Sequence, residues 1–167
     1  LPSSETSPSG YDNVQNIPRG FDWRDDEAAT IVWCQPLDSG IIKNKMDYHD
    51  AVYELAAPFT GQPKELFKTA MRYRGTTWGN DKIALVTEGL LSKQLVRTDL
   101  FDPSTAQLEK LIERNTTDAY SNPGFPVTEK NQYGREVIKT IDGQKLLMNN
   151  PVGSSPKGDL PFLALFD

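Results

Sequence analysis

Two stretches of this chain carry one pattern: "RGFDWRDDEAATIVW" from Arg19 and "RGTTWGNDKIALVTE" from Arg74. Each reads Arg-Gly-x-x-Trp-x-x-Asp followed by a short apolar run, and they lie 55 residues apart. The segments downstream of the two copies are also similar. "VYELAAPFTGQPKELFKT" parallels "RTDLFDPSTAQLEKLIER": an apolar run, a Pro-containing turn, then a second run with Leu near its centre. A weaker third cycle starts near "NPGFPVTEKN", passes the turn "NQYGR" into "EVIKTIDG" and reaches "QKLLMNN", without the Trp. Short runs rich in β-branched and aromatic residues, separated by Gly/Pro/Asn/Asp clusters, predict strands joined by tight turns. "AQLEKLIERNTTDA" also fits a helical spacing through Leu108, Leu111 and Ile112. Its place in the cycle, matching "PKELFKTAM", favours a strand.

A unit of about 40–55 residues built from about four strands is the period of a β-propeller blade. The expected fold is therefore all-β, a partial β-propeller of about three antiparallel four-stranded blades. Residues 1–18 form a linker or irregular lead-in, 19–70 the first blade, 71–118 the second and 119–167 an incomplete third. In each full cycle the Trp (Trp23, Trp78) is expected to pack between sheets. The Asp (Asp26, Asp81) is expected to accept backbone N–H groups in the following turn, and the Gly to admit close packing. Closed propellers have about four to eight blades. Three would leave edges and an apolar face open, so the chain reads as part of a larger propeller or as one that closes by association. It starts on Leu1 rather than Met and ends on the apolar "GDLPFLALFD".

Composition narrows function. With 37% hydrophobic and 25% charged residues, 12 Gly and 12 Pro, the 167 residues suit a soluble, turn-rich domain. A net charge of −5 with scattered basic residues argues against nucleic-acid binding. No apolar run is long enough for a membrane helix. One cysteine, Cys34 in "ATIVWC", excludes a disulfide within the chain and reads as a buried, unreactive thiol. With one His (His49) and one Cys, neither a metal site nor a cofactor is expected. Asp25-Asp26-Glu27 matches no calcium loop and reads as a solvated turn. No Gly-x-Ser-x-Gly is present, and "GSSPKG" lacks the strand–loop–helix context of a phosphate loop. Asn115-Thr116-Thr117 is a formal glycosylation sequon. The chain holds no recognisable catalytic apparatus.

"PRGFDWRDDEAATIVWCQPLDSG", "MDYHDAVYELAAPFTGQPKELFKT", "YRGTTWGNDKIALVTEG", "RTDLFDPST" and "YSNPGFPVTEKNQYGREVI…SPKGDLPFL" occur in this order. Together they resemble the propeller of prolyl-oligopeptidase-type serine peptidases, nearest the glutamyl-endopeptidase-like subgroup. The resemblance runs from about Pro18 to the C-terminus. It implies a C-terminal α/β-hydrolase domain bearing Ser, Asp and His, with the propeller restricting access to peptide substrates. No catalytic residue can be carried over, because no hydrolase motif lies in this chain. The implied partners are that hydrolase domain, the remaining blades and peptides, with no nucleic acid or membrane. Self-association through open strand edges is also expected. The implied location is secreted or periplasmic, or a plastid if the source is a plant. Arg19, Arg24, Arg72 and Arg74 flank the inner strands. Arg19 and Arg74 are the candidates to contact an acidic substrate, and ion pairs between blades are the plainer account of all four. His49 stands where the family pattern has an arginine. The alternative is a non-catalytic propeller-type binding or scaffold module.

Overall fold

The structure, a computed structural model, describes residues 8–143 and 145–166. Residues 1–7 of the lead-in and residues 144 and 167 of the third unit lie outside the described residues. The first sheet is an antiparallel meander of β1 (Arg19–Trp23), β2 (Thr30–Pro36), β3 (Asp50–Ala56) and β4 (Lys64–Thr69). The second has the same order: β5 (Arg72–Asn80), β6 (Ile83–Leu90), β7 (Leu95–Asp102) and β8 (Gln107–Asn115). One 3-10 turn, Leu91–Lys93, interrupts the strands. Among the described residues the chain is otherwise strand, turn and loop.

Burial explains why the two sheets differ in sequence texture. β2, "TIVWCQP", alternates: Thr30, Val32 and Cys34 are buried while Ile31 and Trp33 are half-buried, as in a strand with one covered face. β6, "IALVTEGL", is buried almost throughout, because the second sheet is covered on both faces. One core holds Val32, Cys34, Val52, Leu66 and Phe67 of the first sheet against Trp78, Ala84, Val86 and Phe101 of the second. The other sets Ile83 and Leu85 against Ile138 and Leu146, with Met148 and Phe166 at its margin. The three sheets thus stack face to face in chain order.

The third sheet departs from the simple cycle. β13 (Lys145–Asn150) pairs along one edge with β16 (Phe162–Phe166). Its other edge is shared by two short strands, β12 (Thr140–Ile141) and β9 (Phe125–Pro126). Between these two the chain leaves the sheet as a hairpin, β10 (Thr128–Lys130) and β11 (Glu136–Ile138). A second small hairpin, β14 (Ser154–Ser155) and β15 (Gly158–Asp159), occupies "SSPKGD".

The described residues of the lead-in carry no strand, yet they are tied to both sheets. Val14 N–H donates to Gly40 O at 2.9 Å, and Asn13 Oδ1 accepts from Ile42 N–H at 3.0 Å. Asp12 is buried and accepts the N–H groups of Leu91 (2.7 Å) and Ser92 (2.9 Å) at the start of the 3-10 turn.

Candidate functional site

The two Arg-Gly repeats face one another. β1 and β5 are the first strands of successive sheets, and a cleft of about 360 Å³ runs between them, lined by Arg19, Phe21, Asp22, Trp23, Asp25, Tyr73, Arg74 and Thr76. Val32, Cys34 and Trp78 also line it.

The Arg-Gly pair makes an irregular strand start. The ladder slips between Arg19 and Asp22 in β1 and between Tyr73 and Gly75 in β5, so each repeat carries a bulge. Gly20 sits at φ +64° and Gly75 at φ +149°. A Cβ on Gly75 would meet nothing within 4 Å, and one on Gly20 only Cys34 Sγ at 4.0 Å. The expectation of close packing is therefore corrected: these glycines serve backbone conformation, since positive φ disfavours a side chain.

Four arginines surround this strand pair, and each is held by carboxylates. Arg72 is buried; its Nη1 reaches Asp38 Oδ1 (3.1 Å) and Asp50 Oδ1 (3.0 Å), and its Nη2 reaches Asp38 Oδ2 (2.7 Å). This is an ion pair from the second sheet into the first and its β2–β3 loop. Asp50 joins the repeats directly, because its Oδ2 accepts Tyr73 N–H at 2.8 Å and pairs closely with Arg19. Arg24 donates to Asp26 in a fork (3.0 and 2.5 Å) and to Glu54 at 2.5 Å. Its guanidinium lies 4.4 Å from the centre of the Trp78 ring. Arg74 has one long pair, with Asp12 at 3.3 Å.

The candidates separate accordingly. Arg24 and Arg72 are structural ties, buried and fully engaged. Arg19 and Arg74 line the cleft with side chains 23% and 38% exposed, and Arg19 Nη1 is buried without a hydrogen-bond partner. Trp78 is 2% exposed between the sheets, whereas Trp23 is 46% exposed and lies against Phe59, because no sheet of the described residues covers that side. Asp26 accepts from the Arg24 guanidinium instead of capping the turn. In the second repeat that acceptor is Asn80, which takes Lys82 N–H at 2.9 Å, while Asp81 is exposed in the turn. The carboxylates missed from sequence are Asp12, Asp38 and Asp50. Their signal was present in part: Asp38 opens the turn "DSG", and Asp50 heads an apolar strand where a charge is costly unless paired.

Electrostatics keep the buried carboxylates of the site charged and its thiol and phenol neutral. Burial pulls Asp38 upward, but hydrogen bonds from Arg72 and His49 outweigh it and hold the carboxyl below the usual range. Asp12 is likewise lowered, burial being outweighed by Ser92, Leu91 and Arg74. Burial pushes the Cys34 thiol up to about 11, leaving a neutral group in the cleft floor. Burial also pushes Tyr73 up to about 12. His49 Nδ1 lies 2.7 Å from Asp38 Oδ2. Among the described residues no three His, Cys, Asp or Glu converge to hold a metal ion. No helix of the described residues is long and apolar enough to cross a membrane.

No family model matches the chain. Two plant proteins are similar to it along its whole length. A protein named "Probable glutamyl endopeptidase, chloroplastic" from Oryza sativa subsp. japonica is 34% identical over 174 residues. One of the same name from Arabidopsis thaliana is 33% identical over 176 residues. The chain spans about a fifth of these relatives, 19% and 18% of their length. The similarity connects the chain to proteins with a peptidase name.

Proposed function

We propose that this chain is a β-propeller segment of a serine peptidase of the prolyl-oligopeptidase type, glutamyl-endopeptidase-like, which controls peptide access to a hydrolase domain outside the chain. One observation carries the reading. Two four-stranded antiparallel sheets of identical order each begin on a bulged Arg-Gly strand, and stacking turns both first strands toward a single cleft. Such strands would line the central funnel of a propeller. The outward faces of the first and third sheets carry apolar side chains, as expected of blades that meet further blades. The peptidase name of the two relatives supports the same reading, and their length leaves room for a hydrolase domain. Their names also favour a plastid over a secreted or periplasmic location.

Within the funnel, Arg19 and Arg74 would receive an acidic side chain of the passing peptide. Arg74 supplies a half-exposed guanidinium, and Arg19 lines the cleft beside it with a side chain 23% exposed; forked donors of this kind suit carboxylates. Kinetics of the full-length enzyme test the role of Arg74. Arg74→Ala should lower kcat/KM on Glu-containing peptides about two- to fivefold, the scale of a half-exposed ion pair, and leave uncharged peptides unaffected. Equal kinetics on both would remove Arg74 from recognition. The architecture has its own test. A Gly-x-Ser-x-Gly segment followed by Asp and His must lie in the same polypeptide beyond residue 167; without it, a non-catalytic binding module becomes the better reading.

A further inference from the structure

The hairpin β10–β11 belongs in sequence to the third unit, but its tip binds the first sheet. Arg135 donates from Nη1 to Arg24 O (2.8 Å) and Glu27 O (2.6 Å), and from Nη2 to Ala28 O (2.9 Å). Asn131 Nδ2 donates to Asp25 O at 2.7 Å. Four hydrogen bonds thus hold the β1–β2 turn, residues 24–28, from more than a hundred residues further along the chain. The tip is preorganised for this: Asn131 Oδ1 accepts the N–H groups of Tyr133 and Arg135, and Asn131 N–H donates to Arg135 O.

We propose that this hairpin is a strap that pins the β1–β2 turn at one wall of the cleft, with Arg135 as its positioning residue. Base and tip are held by different forces. At the base, Val137 and Ile138 are buried, and Ile138 packs with Ile83, Leu85 and Leu146. The tip residues Gln132, Tyr133 and Gly134 are exposed, and the tip holds its target through hydrogen bonds and the Arg135–Trp23 contact rather than through a buried apolar core. A local opening would therefore release the tip while the base stays docked. What the tip holds is the wall of the cleft. The Arg135 guanidinium lies 5.9 Å from the centre of the Trp23 ring, and Asn131 bonds the carbonyl of Asp25; Trp23 and Asp25 both line the cleft. The acceptors are backbone carbonyls, although Asp25, Asp26 and Glu27 all lie in the turn. Release leaves Asp26 paired to Arg24 and takes the Arg135 charge away from Asp25, whose carboxyl burial and Asp22 already push up. The strap sets the width of the opening, and in the peptide-binding reading proposed for the cleft it limits the size of chain that enters.

Hydrogen exchange on this chain tests the strap without any peptide. In Arg135→Ala, amides of residues 21–33 should exchange about tenfold faster or more, the scale of charge-assisted bonds lost, while residues 83–90 keep the wild-type rate. Arg135→Lys retains the charge but not the fork, and should fall between. Unchanged exchange at 21–33, faster exchange everywhere, or a lysine variant equal to wild type would each overturn the proposal. A fluorescent Glu-Gly peptide gives a separate arm. Faster association with Arg135→Ala extends the strap's control to peptide entry, and exchange that responds while association does not removes that control. Binding to neither form would sink the peptide reading alone, with the strap still decided by exchange.

Discussion

Glu88 is a carboxyl with no exposed surface in β6, an inner strand of the middle sheet. Met71 N–H donates to its Oε2 at 2.6 Å, Arg97 sits against its Oε1, and Asp99 lies beside both. Burial, reinforced by Asp99, pushes Glu88 up to about 7 against the opposing pull of Met71 and Arg97. Linkage sets the sign. Below the unfolded value near 4.5 both states hold the proton; between there and about 7 the unfolded chain loses it first. Stability should therefore fall as pH rises through this window and level off above it. Asp12 and Asp38, both lowered, act oppositely and lose their contribution as pH falls below the ordinary carboxylate range. Urea titrations across pH should show a maximum on the acid side of neutrality, and Glu88→Gln should flatten the decline above it. A wild-type curve that climbs from pH 5 to 7 would contradict this account. Arg24 gives a second residue-scale test. Arg24→Ala strips the nearly buried Asp26 of its partner, leaves Glu54 with Lys64 and bares the Trp78 face, so it should cost about 3 kcal/mol. A loss under about 1 kcal/mol would mean that the pairs behave as surface pairs. Arginines around the repeat were legible in the sequence, but their partners were not. Asp12, Asp38 and Asp50 lie 22 to 62 residues from the arginines they cross to, and no local pattern encodes that distance.

At the scale of the strand, most of the fold could be read, and the ambiguous case shows why. Leu108 and Leu111 have the spacing of one helix face, but in β8 they serve opposite faces. Leu108 packs on the core shared with the first sheet, and Leu111 on the core shared with the third. A strand covered on both sides needs apolar residues on both, so period alone cannot separate it from a helix; position in the repeat could. The β10–β11 excursion was not legible, since "VTEKNQYGREVI" has the texture of any hairpin and nothing local says that it leaves its sheet. The two bulges yield an element-scale prediction. Both glycines have room for a side chain, but Gly20 lies in the left-handed region that Asn tolerates, while Gly75 at φ +149° does not. Gly20→Asn should change stability by less than about 1 kcal/mol, and Gly75→Asn should cost about 1–3 kcal/mol. Thermal melts of the pair decide it, with equal losses counting against the conformational account.

Among the described residues the sheets form a stack in which the middle one alone is covered on both faces. On the first sheet, Phe21, Trp33 and Tyr53 stack in a row across three strands, with ring centres 5.8 and 6.0 Å apart and the Phe21 end exposed. On the third, the pairing Leu147↔Leu165 and Asn149↔Leu163 places Leu163 and Leu165 opposite the face that meets Leu85, and Leu163 is 63% exposed. These faces lie at opposite ends of the stack, so copies that set the first face of one against the third face of the next associate head to tail, whereas like faces meeting give a closed two-fold pair. The same faces would meet neighbouring sheets in a longer polypeptide. Association of the isolated chain and completion of a larger fold are thus two outcomes of one exposed surface. Light scattering of the isolated chain should show a mass that rises with concentration. The double change Leu163→Lys, Leu165→Lys should suppress that rise while leaving the melt within about 1 kcal/mol of wild type, because neither residue is buried. A strictly monomeric wild-type chain at every concentration would mean that the open faces drive nothing. A double variant that still assembles would shift the cause from the sheet faces to the unpaired strand edges.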